Sequence, residues 1–442
     1  MNQRQGLGNR SISHDMAGMS PIDDHPPCAI LRRALRGWLG SWNRAMTSWP
    51  ELAEGLHGLQ GRDTLVLMSQ LELLSPAIAG ENPAYLREQL ITYIGNKRLL
   101  LPFIGQAVEK VLERTQKRKI RALDLFSGTG VVSRYLKRYS SLLITNDLES
   151  YSRITNEAYL SNISEVDIIK LESDLNWLRI ETDRLLEPGF IAELYAPRDE
   201  DDIQPDDRVF YTKRNASYLD TSRKLINELG PNSAKLLLAP LIARASVHAN
   251  TSGVFKGFYK NKNGIGQFGG SGKDALVRIK GDIVAELPVL SRFECDCIVK
   301  QADANHLVRE IDEVDFAYFD PPYNQHPYGS NYFMLNLLVD YTRPLEMSKV
   351  SGIPTGWNRS SYNKRAEAFI ALFDAIDKCP AAFILISYNS EGFVSHGEFM
   401  DALRGLGRVD VCATPYNTFR GSRNLGNRSL HVTEYLYLLE KV

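Results

Sequence analysis

The sequence predicts an α/β protein built on a mostly parallel sheet with helices on both faces. Three observations carry that expectation. Lys119-Ile-Arg-Ala-Leu-Asp124 reads as a strand that runs through the glycine-rich turn Leu125-Phe-Ser-Gly-Thr-Gly130 into a helix from Val131 to Lys137. A second strand, Leu142-Leu-Ile-Thr-Asn-Asp147, follows and ends in an acid. Much later, the apolar run Phe316-Ala-Tyr-Phe319 stops at Asp320-Pro-Pro-Tyr323. Proline has no N–H for the next ladder bond, so a strand ends there abruptly. In open sheets of this kind, ligands bind beyond the carboxyl ends of the strands, which is where both motifs fall.

Size and composition bound the rest. The 442 residues suffice for two or three domains, and 43% hydrophobic with 10% aromatic content can bury a proper core. Charge is balanced, 52 basic against 53 acidic residues, so a nucleic-acid site would have to be a local patch. The five cysteines are scattered; Cys295-Asp-Cys297 has no second pair to complete a zinc site, and no metal is expected. Reduced thiols, a polar N-terminus and the lack of any segment near ~18 apolar residues predict a cytoplasmic protein that does not enter membranes.

Residues 1–27 are rich in Gly, Ser, Asn and Pro and read as a flexible leader. A helical extension covers 28–84; in it Leu31, Leu35, Trp38, Leu39, Trp42 and Met46 recur at helical spacing. Tyr93-Ile-Gly-Asn-Lys97 opens a helical run from Leu99 to Val111, offering free N–H groups, an aromatic face and a cation. Gly128 and Gly130 permit close backbone approach, and Asp147 is placed to bind two ribose hydroxyls. The spacing lacks the third glycine of dinucleotide folds, which disfavours a nicotinamide cofactor.

After Tyr151 the strand/helix alternation is lost until about 290, and helices are expected at Thr221 to Leu229 and Ala234 to Val247. Between Gly253 and Lys280, Lys256, Lys260, Lys262, Lys273, Arg278 and Lys280 are interleaved with Phe255, Phe258, Tyr259 and Phe268. Such a stretch can neutralise phosphates and reach into a groove. Cys295 to Val299 is the third strand, and Asp303 after it is either a helix N-cap or a ligand contact. Tyr328 and Tyr332, candidates to stack on a base or contact phosphate, lie in a polar, aromatic loop before a helix from Phe333 to Val339, and the basic stretch Gly356 to Arg365 is a candidate phosphate contact. Ala382 to Tyr388 is an apolar strand, and His431 to Leu439 closes a hairpin. In the basic loop before it, Arg420, Arg423 and Arg428 are candidates to hold backbone phosphates.

Asp320-Pro-Pro-Tyr323 fits one chemical task. A nucleobase amine is a poor nucleophile because its lone pair is conjugated into the ring. A carboxylate and a proline carbonyl that accept its two hydrogens would localise that pair, while a tyrosine stacks on the base. Together with Tyr93–Lys97, Asp124–Gly130, Asn146-Asp147, Asp303 and Ser387-Tyr-Asn-Ser390, in this order over roughly 85–440, the chain resembles the Dam-like N6-adenine DNA methyltransferases.

That resemblance implies a Rossmann-like, seven-stranded class I methyltransferase sheet at 85–160 and 290–442, with a DNA target-recognition domain inserted at 161–289. It implies S-adenosylmethionine as methyl donor, held by Tyr93, Lys97, Asp124, Phe126, Gly128, Gly130, Asp147, Asp303 and Asp320. Asp320, Pro321, Pro322 and Tyr323 would act on an adenine flipped from double-stranded DNA. Lys256, Lys260, Lys262 and the three arginines would contact DNA. The family also implies a prokaryotic or phage source, a cognate restriction endonuclease or an orphan methylation role, and a monomer. A cytosine-N4 methyltransferase, an RNA or protein amine as acceptor, and a non-catalytic DNA-binding subunit are the competing readings.

Overall fold

Strand parity and one reversal of strand order place the site. A computed structural model describes residues 80–270, 272, 275–417 and 431–442. The predicted leader, the helix from Leu31, Lys273 and the arginines at 420, 423 and 428 lie outside these residues. The strands are β1 (Ile120–Asp124), β2 (Ser140–Asp147), β3 (Asp296–Gln301), β4 (Val314–Phe319), β5 (Ala381–Asn389), β6 (Gly407–Asn417) and β7 (His431–Lys441). They form a single sheet in the order β3-β2-β1-β4-β5-β7-β6. The first five pair in parallel, and β7 runs antiparallel to both β5 and β6. The described residues thus form a mixed α/β fold with a seven-stranded sheet, the number expected.

The chain leaves β1 to one side for β2 and β3, then returns on the other side for β4. A crevice opens at such a reversal, beyond the carboxyl ends of the strands. Asp124 pairs with Tyr318 across β1 and β4, so Asp124 and Asp320 finish next to one another.

Side chains alternate between two cores. Ile120, Ala122, Phe316, Tyr318, Phe383, Leu385, Leu436 and Leu438 face one; Leu123, Ala317, Phe319, Ile384, Ile386, Tyr437 and Leu439 face the other. The second core is covered by helices Arg365–Lys378 and His396–Arg404, which supply Leu372, Ile376, Phe399 and Leu403. The first is covered by Leu101–Thr115 and Ser150–Tyr159.

Residues 161–289 continue that first core with helices Ile168–Leu185, Lys213–Ile226 and Pro231–Val247. The last packs chiefly against Ser150–Tyr159, and its residues Leu236 to Ala243 are buried. Helix Lys213–Ile226 starts eight residues before the expected Thr221, because the Thr212 hydroxyl caps it by accepting from the Asn215 N–H.

Candidate active site

The glycine-rich turn is built by backbone conformation. Gly128 (φ 50°) and Gly130 (φ 72°) adopt left-handed conformations. A Cβ on Gly130 would stand 2.4 Å from Asn156 Oδ1, and one on Gly128 would be 3.0 Å from the Tyr93 ring. The Gly128 N–H donates to Asp147 Oδ2 at 2.8 Å, and the Glu149 N–H donates to Asp147 Oδ1 at 3.0 Å. Asp124 Oδ2 accepts from Ser133 Oγ at 2.6 Å, while its buried Oδ1 has no hydrogen-bond partner among the described residues. Burial pushes the Asp124 carboxyl up to about 7, against the Ser133 donation, and also raises Asp147.

Asp147 opens onto a cleft with about 680 Å³ of empty space, part of it open to solvent, while Asp124 lies buried just behind its Leu125 and Phe126 lining. Tyr93, Phe126, Asp147, Glu149, Asp303 and Asp320 line it, with Asn358, Ser360, Tyr362 and Asn363 on the far wall. Asp303 lines the cleft and also caps a short helix, accepting from the His306 N–H at 3.1 Å, so the N-cap is present and leaves the residue on the cleft wall. A ligand with an ammonium group, a vicinal diol and a flat heteroaromatic ring would find a carboxylate for each polar group and aromatic walls for the ring. The orphaned Asp124 Oδ1 in particular asks for a donor.

At the end of β4, Asp320 turns its carboxylate towards Lys97, with Oδ1 3.2 Å from Nζ. Lys97 does not line the cleft; it is buried, and its ammonium also donates to Glu434 Oε1 at 2.7 Å. Ser387 Oγ donates to the same Glu434 oxygen at 2.7 Å. Burial raises the Asp320 carboxyl to about 7, with Lys97 opposing and Glu434 adding to the rise. Burial alone would lower Lys97, but the two carboxylates outweigh it and hold the ammonium well above its ordinary range. Tyr323 sits 5.6 Å from Lys97 Nζ, measured to the ring centroid, and meets Tyr388 edge-on at 5.8 Å. The Tyr323 carbonyl accepts from the Phe393 N–H at 3.1 Å. Asn389 is spent locally, its side chain accepting from the Glu391 N–H.

Two expectations need correction and a third is enlarged. Tyr332 cannot touch phosphate: it is fully buried, stacked on Tyr93 at 4.8 Å, and its hydroxyl accepts from the Ile94 N–H. Tyr328 stacks on the same ring at 5.1 Å. The stretch 356–365, read as a candidate phosphate contact, also supplies cleft wall through Asn358, Ser360, Tyr362 and Asn363, while Arg359, Lys364 and Arg365 are exposed. Asn358 donates to the Leu148 carbonyl and to Glu149, and Asn363 donates to the Asn324 carbonyl just past the Asp-Pro-Pro-Tyr turn. In the basic segment, Phe255 and Phe258 are core residues and cannot reach a groove, whereas Lys256, Lys260 and Lys262 are exposed. The lysines at 260 and 262 lie on a hairpin-like tip closed by a bridge between Lys260 and Gly266. Buried Asn250 anchors it, donating to the Val209 and Gln267 carbonyls and accepting from the Gly269 N–H.

Sequence reading missed Glu149, Asn358, Tyr362 and Glu434. One signal for Glu434 was available: in the alternating strand it shares parity with Val432, Leu436 and Leu438, which puts a carboxylate on a buried face. Glu149 lies two residues beyond Asp147, and its carboxyl is raised to about 7 by burial and by Asp147, with Asn336 and Asn358 opposing.

Comparison with known proteins agrees with this geometry. The family model for D12 class N6 adenine-specific DNA methyltransferases matches residues 93–349. The type II methyltransferase M.NlaIII of Neisseria lactamica is 29% identical over 79% of this chain and 99% of its own length. The type II methyltransferase M.CviAII of Paramecium bursaria Chlorella virus 1 is 28% identical over 79% and 98%. The modification methylase StsI of Streptococcus sanguinis is 27% identical over 79% of this chain but 52% of its own. The family match begins at the tyrosine of the cleft wall and runs through the strand-ending Asp-Pro-Pro-Tyr, and the chain belongs to the D12 class of N6 adenine-specific DNA methyltransferases.

Proposed function

We propose that this adenine-specific methyltransferase acts at a defined site in duplex DNA on an adenine flipped out of the helix, as the modification half of a restriction system with a cognate endonuclease. The observation that carries the reading is convergence: Asp320 and Pro322 lie on the wall of the same cleft as Tyr93, Asp147 and Asp303. The type II and modification names of the relatives favour the restriction context.

The cleft fits S-adenosylmethionine. Asp124 would take the methionyl ammonium, Asp147 the ribose hydroxyls and Asp303 the adenine amine, with Tyr93 and Phe126 as apolar walls and Gly128 and Gly130 allowing close approach. When bound, that molecule supplies an electrophilic sulfonium methyl group. Asp320 and the Pro321 carbonyl would accept hydrogen bonds from the two N6 hydrogens of the target adenine, which localises the nitrogen lone pair, and the surplus N6 proton would pass to solvent once the amine is methylated. Pro322 fixes the turn, and Tyr323 stacks on the base. Positioning rather than strong acid or base does the catalytic work, since the leaving group is a neutral thioether.

Residues 161–289 act as the recognition insert on a catalytic domain formed by 85–160 and 290–442. The Phe255 N–H donates to the Asn331 carbonyl at 2.7 Å, which supports a position for the lysine-bearing hairpin beside the loop after Asp-Pro-Pro-Tyr. β6 ends and β7 begins at the carboxyl edge of β5, where Asn389 pairs with Glu434; Arg420, Arg423 and Arg428, between these strands in sequence, are taken as phosphate contacts. Replacement of Tyr323 by Ala tests the stacking role. Turnover on unmethylated DNA should fall by on the order of 100-fold while cofactor affinity changes little; full turnover would refute it.

A further inference from the structure

We propose that Glu434, on the closing strand, is a positioning residue for methyl transfer: with Ser387 it holds the Lys97 ammonium and draws its charge away from Asp320, leaving Asp320 a strong acceptor for the N6 amine. The proposal rests on the reading of Asp320 as that acceptor.

Strand parity brings the group together. Asp320 shares the parity of Tyr318 on β4, Ser387 that of Leu385 on β5, and Glu434 that of Leu436 on β7, and the Tyr318, Leu385 and Leu436 side chains all enter the first core. Lys97 enters from the turn before helix Leu101–Thr115, on the same face. A buried lysine needs only one carboxylate for neutrality, yet this one has two, and a carboxylate with no solvent exposure is costly unless it serves the cluster.

The geometry is uneven in a useful way. Glu434 is the nearer partner, 2.7 Å against 3.2 Å, and its side chain is 1% exposed, whereas that of Asp320 is 19% exposed and faces the cleft. The excess negative charge therefore falls on the carboxylate that meets substrate. Among the described residues, the other titratable groups facing Asp320 are Asp124 at the end of β1 and the phenols of Tyr318 and Tyr328.

The test is the pH profile of kcat and KM for methyl transfer to DNA by Glu434→Gln and Glu434→Asp, with cofactor affinity measured by calorimetry. Gln keeps the shape and an oxygen for Lys97 and Ser387 but removes the charge. Its kcat should fall on the order of tenfold, and its acid limb should move to lower pH, because Lys97 then neutralises Asp320 alone; the cofactor Kd should stay within about twofold. Asp keeps the charge but withdraws it from Lys97, so its kcat should also fall, with an acid limb between those of wild type and Glu434→Gln. Wild-type kcat and an unmoved limb in either variant overturn the proposal. If those results accompany an inactive Asp320→Ala, only the role of Glu434 fails; an active Asp320→Ala removes the reading beneath it.

Discussion

Gly130 sits where an added methyl group meets two obstacles at once. Its φ of 72° is left-handed, and a Cβ would collide with Asn156 Oδ1, itself a buried atom. Gly130→Ala should therefore cost at least about 1–3 kcal/mol of unfolding free energy in a denaturant titration, the strain of a left-handed non-glycine residue. A neutral result would mean the turn relaxes. Lys97→Met leaves Glu434 and Asp320 facing one another in a buried site, and a loss on the order of 3–5 kcal/mol is expected by the same titration. The positions of Asp124, Gly128, Asp147, Asp320 and Tyr323 at or just past strand ends were legible in the sequence, because each adjoins a recognisable apolar run or turn. Glu434 was not, because its role depends on a lysine 337 positions away, and no local pattern carries that pairing.

Among elements, the hairpin at 259–267 makes the clearest forecast. Lys260 and Lys262 are exposed on a tip held by backbone bonds from Gln267 to Tyr259 and from Asn261 to Ile265. Lys260→Ala or Lys262→Ala should weaken binding alike on all DNA sequences, and each should lower the slope of log affinity against log salt by about 1. An unchanged slope would remove these lysines from the interface. Asn250→Ala abandons two buried carbonyls and an N–H, and should cost on the order of 1–3 kcal/mol while loosening the tip to proteases. Sequence reading placed each strand it named within a few residues, since apolar runs bounded by Gly, Pro or acid are local signals. It misjudged Phe255 and Phe258 because aromatic and basic residues interleave in the same way whether the rings enter a core or a groove. The cleft wall at 358–363 was hidden for a similar reason: its asparagines act by bonding to Leu148 and Asn324, elements distant in sequence.

For the whole molecule, the site gathers carboxyl groups that burial makes harder to ionise. Asp124, Glu149 and Asp320 are each raised to about 7, against usual values near 4. The folded state then holds more protons than the unfolded chain between about pH 4 and pH 7, so stability is fullest below that window and falls as pH rises through it. Thermal unfolding of the ligand-free protein should show a melting temperature that drops from about pH 5 to about pH 7.5; a rise would contradict those shifts. Activity should run the other way, increasing as Asp320 ionises. One sheet, one strand-order reversal and two cores thus tie stability and catalysis to the same few carboxylates. The most direct test of the account is to incubate wild-type and Asp320→Ala protein with isotope-labelled S-adenosylmethionine and unmethylated duplex DNA, then digest to nucleosides and identify the labelled species by mass spectrometry. The account predicts label in N6-methyldeoxyadenosine with the wild type and none with the variant. Label in N4-methyldeoxycytidine, or equal labelling by the variant, would contradict it.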